Sequence, residues 1–323
     1  MQPVKVGLLG LGTVGGGTLR VLRRNADEIS RRAGREIQII RASVRDASKV
    51  RDVDLSDVTI SEDSNAVVDD EQIEIIVELI GGIDLAHDLV LRAIGNGKHV
   101  VTANKALLAL HGNEIFEAAQ AKGVMVAFEA AVAGGIPAIK TLRESLSGNR
   151  IGWIAGIING TSNHILTAMT EGERPFTDAL AEAQALGYAE ADPDFDIDGT
   201  DAAHKLTILA SIAFGIPLQF NKVYREGIDH IAQEDIVNAR QLGYRIKHLG
   251  IARRGSGGVE LRVHPTLVPE RSVIANVEGV MNAVLVSGDA VGPTLLYGAG
   301  AGAEPTASSV VADLVDIVRA LTS

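Results

Sequence analysis

The chain opens on an alternation of apolar runs with glycine. Val4 to Leu9 is a short apolar run, Gly10-Leu11-Gly12-Thr13-Val14-Gly15 follows directly, and Leu19, Val21 and Leu22 then recur at helical spacing toward Ile29. Short apolar runs ended by glycine read as strands, and recurrence at three to four residues reads as a helix. The alternation continues with strands predicted over Ile37 to Ile40, within Gln72 to Gly82, over Lys98 to Val101 and over Val124 to Phe128. Helices are predicted between them, over Asp84 to Gly95 and Glu114 to Lys122. The near-continuous apolar character of Ile73, Ile75, Ile76, Val77, Leu79 and Ile80 fits a strand covered on both faces, as in a parallel sheet. From about Arg150 the pattern changes to a mixture of strands and helices. Ile151 to Ile158 reads as a strand, His164 to Met169, Thr177 to Leu186 and Glu234 to Gln241 as helices, and Val277 to Val286 as a further strand. Tyr244 to Ala252 and Val259 to His264 flank a glycine-rich connection and read as a hairpin. A doubly wound α/β half is thus expected before an α+β substrate half, whose sheet lies open to a partner subunit. A last apolar-faced helix, Ser308 to Leu321, needs burial against a domain.

The first glycine cluster has the context that gives G-x-G-x-x-G its meaning: a strand before it and a helix after it. The first two glycines permit a tight turn and close approach of a pyrophosphate, and the third lets helix and strand pack closely. A NAD site would place an acidic residue at the end of the second strand. Here that strand is expected to end on Arg41, with Arg45 and Lys49 close behind, and these cations favour the 2′-phosphate of NADP. The loop Thr102-Ala103-Asn104-Lys105 follows a strand end, where ligands of open α/β sheets bind. A lysine opening a helix opposes the dipole, so Lys105 is a candidate pocket residue. After Phe128, Glu129 leads into a glycine-rich turn ending at Pro137, a loop that could hold a cation through oxygen or simply join strand to helix.

The densest chemistry lies between Gly187 and Lys205. Glu190, Asp192, Asp194, Asp196, Asp198 and Asp201 are gathered there, and the stretch closes on a lysine. Pro193 and Gly199 make the first part irregular. From Thr200 the spacing is helical, so Asp201 and Lys205 share a helix face. Asp194, Asp196, Asp198 and Gly199 fit the opening of a calcium loop, but its twelfth position, a bidentate glutamate in such loops, is Lys205. A charged pocket with one proton donor is the remaining functional reading.

Composition narrows the partners. With 323 residues, 46% hydrophobic and 22% charged, the chain is an ordinary globular one with room for two domains. A net charge of −11 argues against a nucleic acid or an anionic membrane as partner. The absence of cysteine excludes thiol catalysis and disulfides. No apolar run approaches a membrane span, and the N-terminus enters a strand without a signal-peptide core, so a cytoplasmic location is expected.

The run from Ala183 through Gly187, Asp192-Pro193, Asp196, Asp198-Gly199 and Asp201 to Lys205 resembles the diagnostic motif of the homoserine dehydrogenases. Gly10 to Gly15, Thr102 to Lys105, Gly156 to Thr161 and Gly298 to Thr306 resemble that family's other blocks, in the same order. The resemblance implies a Rossmann-type nucleotide-binding domain, residues 1–137 and 303–323, and an α+β catalytic and dimerisation domain with a mixed sheet, residues 138–302. It implies a homodimer and the reversible NAD(P)-dependent reduction of L-aspartate 4-semialdehyde to L-homoserine. Lys205 would be the proton donor and Lys105 a catalytic neighbour between cofactor and substrate. Glu190 and Asp201 would hold homoserine, in a pocket shared with Asp196, Tyr188 and Thr161. Gly10, Gly12, Thr13, Val14, Gly15, Arg41, Thr102, Lys105, Gly187, Glu190 and Gly302 would border the cofactor. Glu129 with the carbonyls of Val132, Gly134 and Ile136 would hold a monovalent cation, sodium by resemblance. Many members carry a C-terminal ACT regulatory domain, for which this sequence has no room, so it resembles the short form. A different class, a non-catalytic NADP-binding sensor or scaffold, would bind cofactor without turnover.

Overall fold

A computed structural model describes residues 2–322. Contacts divide the chain into two units, one reaching Gly135 and resuming at Ala301, the other Ile136–Gly300. The first unit holds a six-stranded sheet of β1 (Val4–Leu9), β2 (Ile37–Ser43), β3 (Thr59–Ser61), β4 (Ile75–Glu78), β5 (His99–Thr102) and β6 (Val126–Ala127). Every neighbouring pair is parallel, in the order β3-β2-β1-β4-β5-β6. This is the doubly wound dinucleotide-binding order, reversing between β1 and β4. Helices α1 (Thr13–Arg24), α2 (Ala26–Ala33), α3 (Ser64–Val68), α4 (Asp84–Gly95) and α5 (Lys105–Lys122) connect the strands. Period-two alternation splits each strand between two cores. Val6, Leu8, Ile75, Val77 and Val101 join one apolar cluster, and Leu9, Ile76 and Val100 the other.

The second unit runs through α6 (Ala138–Lys140), a π-helical turn over Thr141–Ser145, β7 (Ile151–Ile157), α7 (Gly160–Gly172), α8 (Phe176–Ala185), α9 (Asp194–Ile197) and α10 (Thr200–Phe214). It continues with β8 (Tyr224–Arg225), α11 (Gln233–Gln241), β9 (Tyr244–Gly255), β10 (Gly258–Pro269), β11 (Met281–Gly288) and β12 (Gly292–Ala299). The sheet order is β12-β11-β7-β9-β10-β8, antiparallel except for the β10–β8 pair. Ala155, the residue between Ile251 and Leu285 across neighbouring strands, and Leu295 beyond them form one apolar row over four strands. All four stay only partly buried against a small core cluster.

The final helix, α12 (Ala303–Thr322), returns to the first unit. Its Val310, Leu314, Ile317 and Val318 are buried in the same cluster as β1. Close approach to α1 explains Gly17, the second glycine after the nucleotide-binding motif. A Cβ on Gly17 would lie 2.5 Å from the Ala303 carbonyl oxygen and 3.4 Å from the Ala307 Cβ. Arg24 and Glu304 close the contact at its rim with paired hydrogen bonds of 2.9 Å.

Several boundaries differ from the sequence expectation. β2 continues to Ser43, α5 begins at Lys105, and Gly298-Ala299 completes β12 instead of belonging to a loop. Pro305 lies in the first turn of α12, where its missing amide costs no helical hydrogen bond. Because the α1–α12 contact leaves no room for a side chain, Gly17→Val should destabilise the protein by about 1–3 kcal/mol. A lower urea midpoint at unchanged slope would register this, and an unchanged midpoint would refute it.

Candidate active site

The cofactor side is built in the first unit by the turn between β1 and α1. Gly10 has φ +97°, and a Cβ there would sit 2.7 Å from the Leu79 carbonyl oxygen. A Cβ on Gly15 would lie 2.1 Å from the Gly10 oxygen. Gly12, the N-cap of α1, instead faces open space, and no side chain caps the helix. Thr13 and Val14 open the helix, and its first turn carries no acidic residue. The orphan amides of this turn, with clearance above Gly12 for a pyrophosphate, fit a dinucleotide. The adjoining cleft has a volume of about 840 Å³ and is lined by Gly10, Gly12, Arg45, Lys49, Arg51 and Gly82, among others.

Arg41 is not on that lining. With β2 extended to Ser43, Arg41 falls inside the strand, and its Nε lies 3.1 Å from Asp70 Oδ2. The cations that do reach the cleft are Arg45, Lys49 and Arg51. Thr102 is likewise wholly buried, and its hydroxyl donates to Glu78 Oε2 at 2.6 Å while accepting the Asn104 amide at 3.0 Å. Its side chain braces the loop. Asn104 in turn caps α5 by accepting the Leu107 amide, and it donates to the Gly82 oxygen at 2.7 Å. Lys105 is therefore presented at the start of α5 by a braced turn.

Glu78 was outside the sequence reading. It is fully buried at the end of β4, where it also accepts the Ile80 and Gly81 amides. Burial pushes its carboxyl above the usual range, against the hydrogen bonds from Thr102 and those amides. One charged residue in an otherwise apolar strand was the available signal. After β6, Glu129 is 1% exposed, and its amide donates to Asp313 Oδ2 at 2.7 Å. Ala133 and Gly134 both take left-handed φ, +54° and +50°. The Gly134 oxygen accepts Ser309 Oγ at 2.7 Å, and Val132 is buried. The Ile136 oxygen accepts the Ala138 amide at 2.7 Å. Gly302 precedes α12 at φ +124°, and its oxygen accepts the Thr306 amide.

The candidate proton donor lies in the second unit, and the acidic stretch does not act as one cluster. Asp198 spends its carboxylate on the Thr200 amide and hydroxyl at 2.7 and 2.8 Å, at the start of α10. Asp194 is exposed on the short helix α9. Asp196 and Asp201 instead converge on Asn159, whose Nδ2 donates to Asp196 Oδ1 at 2.7 Å and to Asp201 Oδ2 at 2.8 Å. The Asn159 Oδ1 accepts the Ser162 amide and so caps α7. The cap is a local feature, whereas the second role of Asn159 requires the fold. Lys205 Nζ donates to Asp201 Oδ2 at 2.6 Å and to the Ile158 oxygen at 2.7 Å. The lysine side chain is 12% exposed and the aspartate 5%. Burial raises the Asp196 carboxyl above the ordinary range, helped by Asp201 and opposed by the Asn159 hydrogen bond and Lys205.

Thr161 Oγ1 donates to the Tyr188 oxygen at 2.7 Å, tying α7 to the start of the acidic stretch. The exposed Tyr188 ring meets His164 edge-on at 4.9 Å. Gly187 turns the chain after α8 at φ +74°. Glu190 is exposed, and its main-chain oxygen accepts Gln184 Nε2 at 3.1 Å. The structure thus brings Asp196, Asp201 and Lys205 together around Asn159, with Thr161 and Tyr188 joined beside them.

The profile described as the homoserine dehydrogenase NAD binding domain matches residues 10–129, and the homoserine dehydrogenase profile matches residues 137–315. A homoserine dehydrogenase of Pseudomonas aeruginosa is 67% identical over 323 residues, which are all of this chain and 74% of that protein. The crystal structure of a homoserine dehydrogenase from Thiobacillus denitrificans superposes with a TM-score of 0.98 at 67% identity, covering 100% of this chain and 74% of that one. A hyperthermophilic archaeal homoserine dehydrogenase in complex with NADPH superposes at 0.83 with 28% identity, covering 100% and 99%. The chain belongs to the homoserine dehydrogenase family, NAD(P)-dependent oxidoreductases acting on a CH–OH group.

Proposed function

We propose that Lys205 is the proton donor in the family's reaction, the reversible interconversion of L-homoserine and L-aspartate 4-semialdehyde on the route to threonine, methionine and isoleucine. One observation carries this reading. Lys205 commits two of its three N–H donors, to Asp201 and to the Ile158 carbonyl, and retains the third for a substrate oxygen. Hydride chemistry at the substrate carbon would come from a nicotinamide bound at the glycine turn. As charge grows on the aldehyde oxygen, Lys205 gives it a proton from Nζ, and in the oxidative direction it takes the hydroxyl proton back. Asp201 fixes the position of Nζ, and Asn159 fixes Asp201. Because Asp201 is already engaged with both, Glu190 is the carboxylate better placed to hold the substrate ammonium, with Asp196, Tyr188 and Thr161 shaping the pocket. Lys105 positions or polarises the substrate.

NADP is the favoured cofactor, supported by Arg45, Lys49 and Arg51 on the cleft of the nucleotide-binding unit. Gly302 and Gly187 would border it. The turn after Glu129 suits a monovalent cation, sodium by family resemblance. The Gly134 and Ile136 carbonyls each accept one protein hydrogen bond and keep a lone pair, beside Glu129 and Val132. A homodimer is supported by the half-buried row Leu295, Leu285, Ala155 and Ile251 on the open sheet, an apolar strip of the kind that marks an interface. No described helix is long and apolar enough to cross a membrane, and a biosynthetic role accords with a cytoplasmic location.

Homoserine-dependent NADP⁺ reduction, followed by nicotinamide absorbance, tests the activity directly. Lys205→Ala should lower kcat by about 10²–10⁴ while leaving cofactor affinity near wild type. Near-normal turnover would remove the assignment. Arg45→Ala should raise KM for NADP⁺ by about tenfold or more, the scale of one lost charge-assisted hydrogen bond, with little change for NAD⁺. Equal effects on both cofactors would defeat the phosphate argument. Leu285→Glu should sediment as a monomer in analytical ultracentrifugation, whereas a variant that still dimerises would rule out this face.

A further inference from the structure

Helices α4 and α5 gather a second set of ligating side chains that the redox chemistry does not use. His87 on α4 and His111 and Glu114 on α5 each offer one ligand atom, all within 4.8 Å of one another. His111 and Glu114 are three residues apart and so share one helix face. The packing of α4 against α5 brings His87 to them. His87 Nε2 lies 3.0 Å from Glu114 Oε2, and the two imidazole rings face each other at 4.4 Å with a tilt of 34°.

We infer that His87, His111 and Glu114 form a binding site for a borderline divalent transition-metal ion, of which Zn²⁺ is the representative. Ligand atoms on a tetrahedral centre with bonds of about 2.0–2.1 Å sit roughly 3.3 Å from one another. The 3.0 Å His87–Glu114 separation is already near that value, and modest side-chain rotations close the rest. Two imidazoles with a single carboxylate suit zinc, nickel or copper, whereas calcium and magnesium call for a shell of oxygens. The fourth position would be taken by water. The His87 side chain is 19% exposed and that of Glu114 59%, so a hydrated ion can reach the group without opening the fold. Once bound, the ion would cross-link α4 to α5, above the apolar cluster formed by Leu89, Ile94, Leu107 and Ile115. It would thereby clamp the helix that opens at Lys105.

The test is calorimetric titration of Zn²⁺ into the tag-free, chelator-stripped chain, with thermal unfolding measured in parallel. One saturable equivalent per chain is expected, together with a raised Tm. His111→Gln and Glu114→Gln should each weaken binding about tenfold or more, the least expected of a lost ligand. His230→Gln, on an exposed histidine elsewhere, should not weaken it. Since Glu114 is largely exposed, its replacement leaves the fold intact and the comparison interpretable. Absence of a saturable heat, or affinity equal to wild type in both ligand variants, would reduce the group to a ring contact with one hydrogen bond and overturn the site.

Discussion

The amide of Asn159 is the interaction on which the candidate site of the second unit depends. A single Nδ2 group donates to two carboxylates five residues apart in the chain, the half-buried Asp196 and the buried Asp201. Without such a donor, two neighbouring carboxylates shielded from water would repel each other and favour protonation of one. With it, Asp201 remains a defined acceptor for Lys205, and the lysine is held by two oxygens whose positions come from different elements. The acid of the proposed reaction is thus oriented by a chain of hydrogen bonds that begins at a helix cap. The two steps before the lysine use short side chains of few rotamers, and the long lysine is fixed at its tip by two acceptors, so the proton donor keeps its aim.

The nucleotide-binding unit solves a similar problem with different parts. Glu78, Thr102 and Asn104 tie together the ends of neighbouring parallel strands, so that the loops facing a ligand are braced from behind. Burying a carboxyl there is costly, as its raised pKa reflects, and two amides and a hydroxyl offset the cost. The open glycine turn then needs no capping side chain of its own. Its unpaired amides are what a phosphate would satisfy.

Much of this was legible in the chain, and the limits are instructive. The strand, glycine turn and helix at the start follow from local spacing alone, as do the β9–β10 hairpin and the full extent of α4. The helical register from Thr200 correctly placed Asp201 one turn before Lys205. Arg41 was misread because the apolar run stops at Ile40, whereas parallel pairing with β3 carries the strand on through Ser43. Pairing is not a local property. β12 was missed for a related reason: Gly292, Pro293, Gly298 and Ala299 have weak strand preference, and only the ladder to β11 makes them a strand. Six acidic residues in one stretch looked like one cluster, yet turn geometry assigned them separate tasks. Nothing in their spacing distinguished the pair that meets Asn159.

The return of α12 to the first sheet has a consequence for biogenesis. During synthesis, the strands and helices of the nucleotide-binding unit leave the ribosome first, but one face of their core is filled by Val310, Leu314, Ile317 and Val318. The intervening second unit must emerge before those side chains do. The first-made half of the polypeptide is therefore the last to be completed, and until then it holds an uncovered apolar groove beside α1, where chaperones have reason to bind.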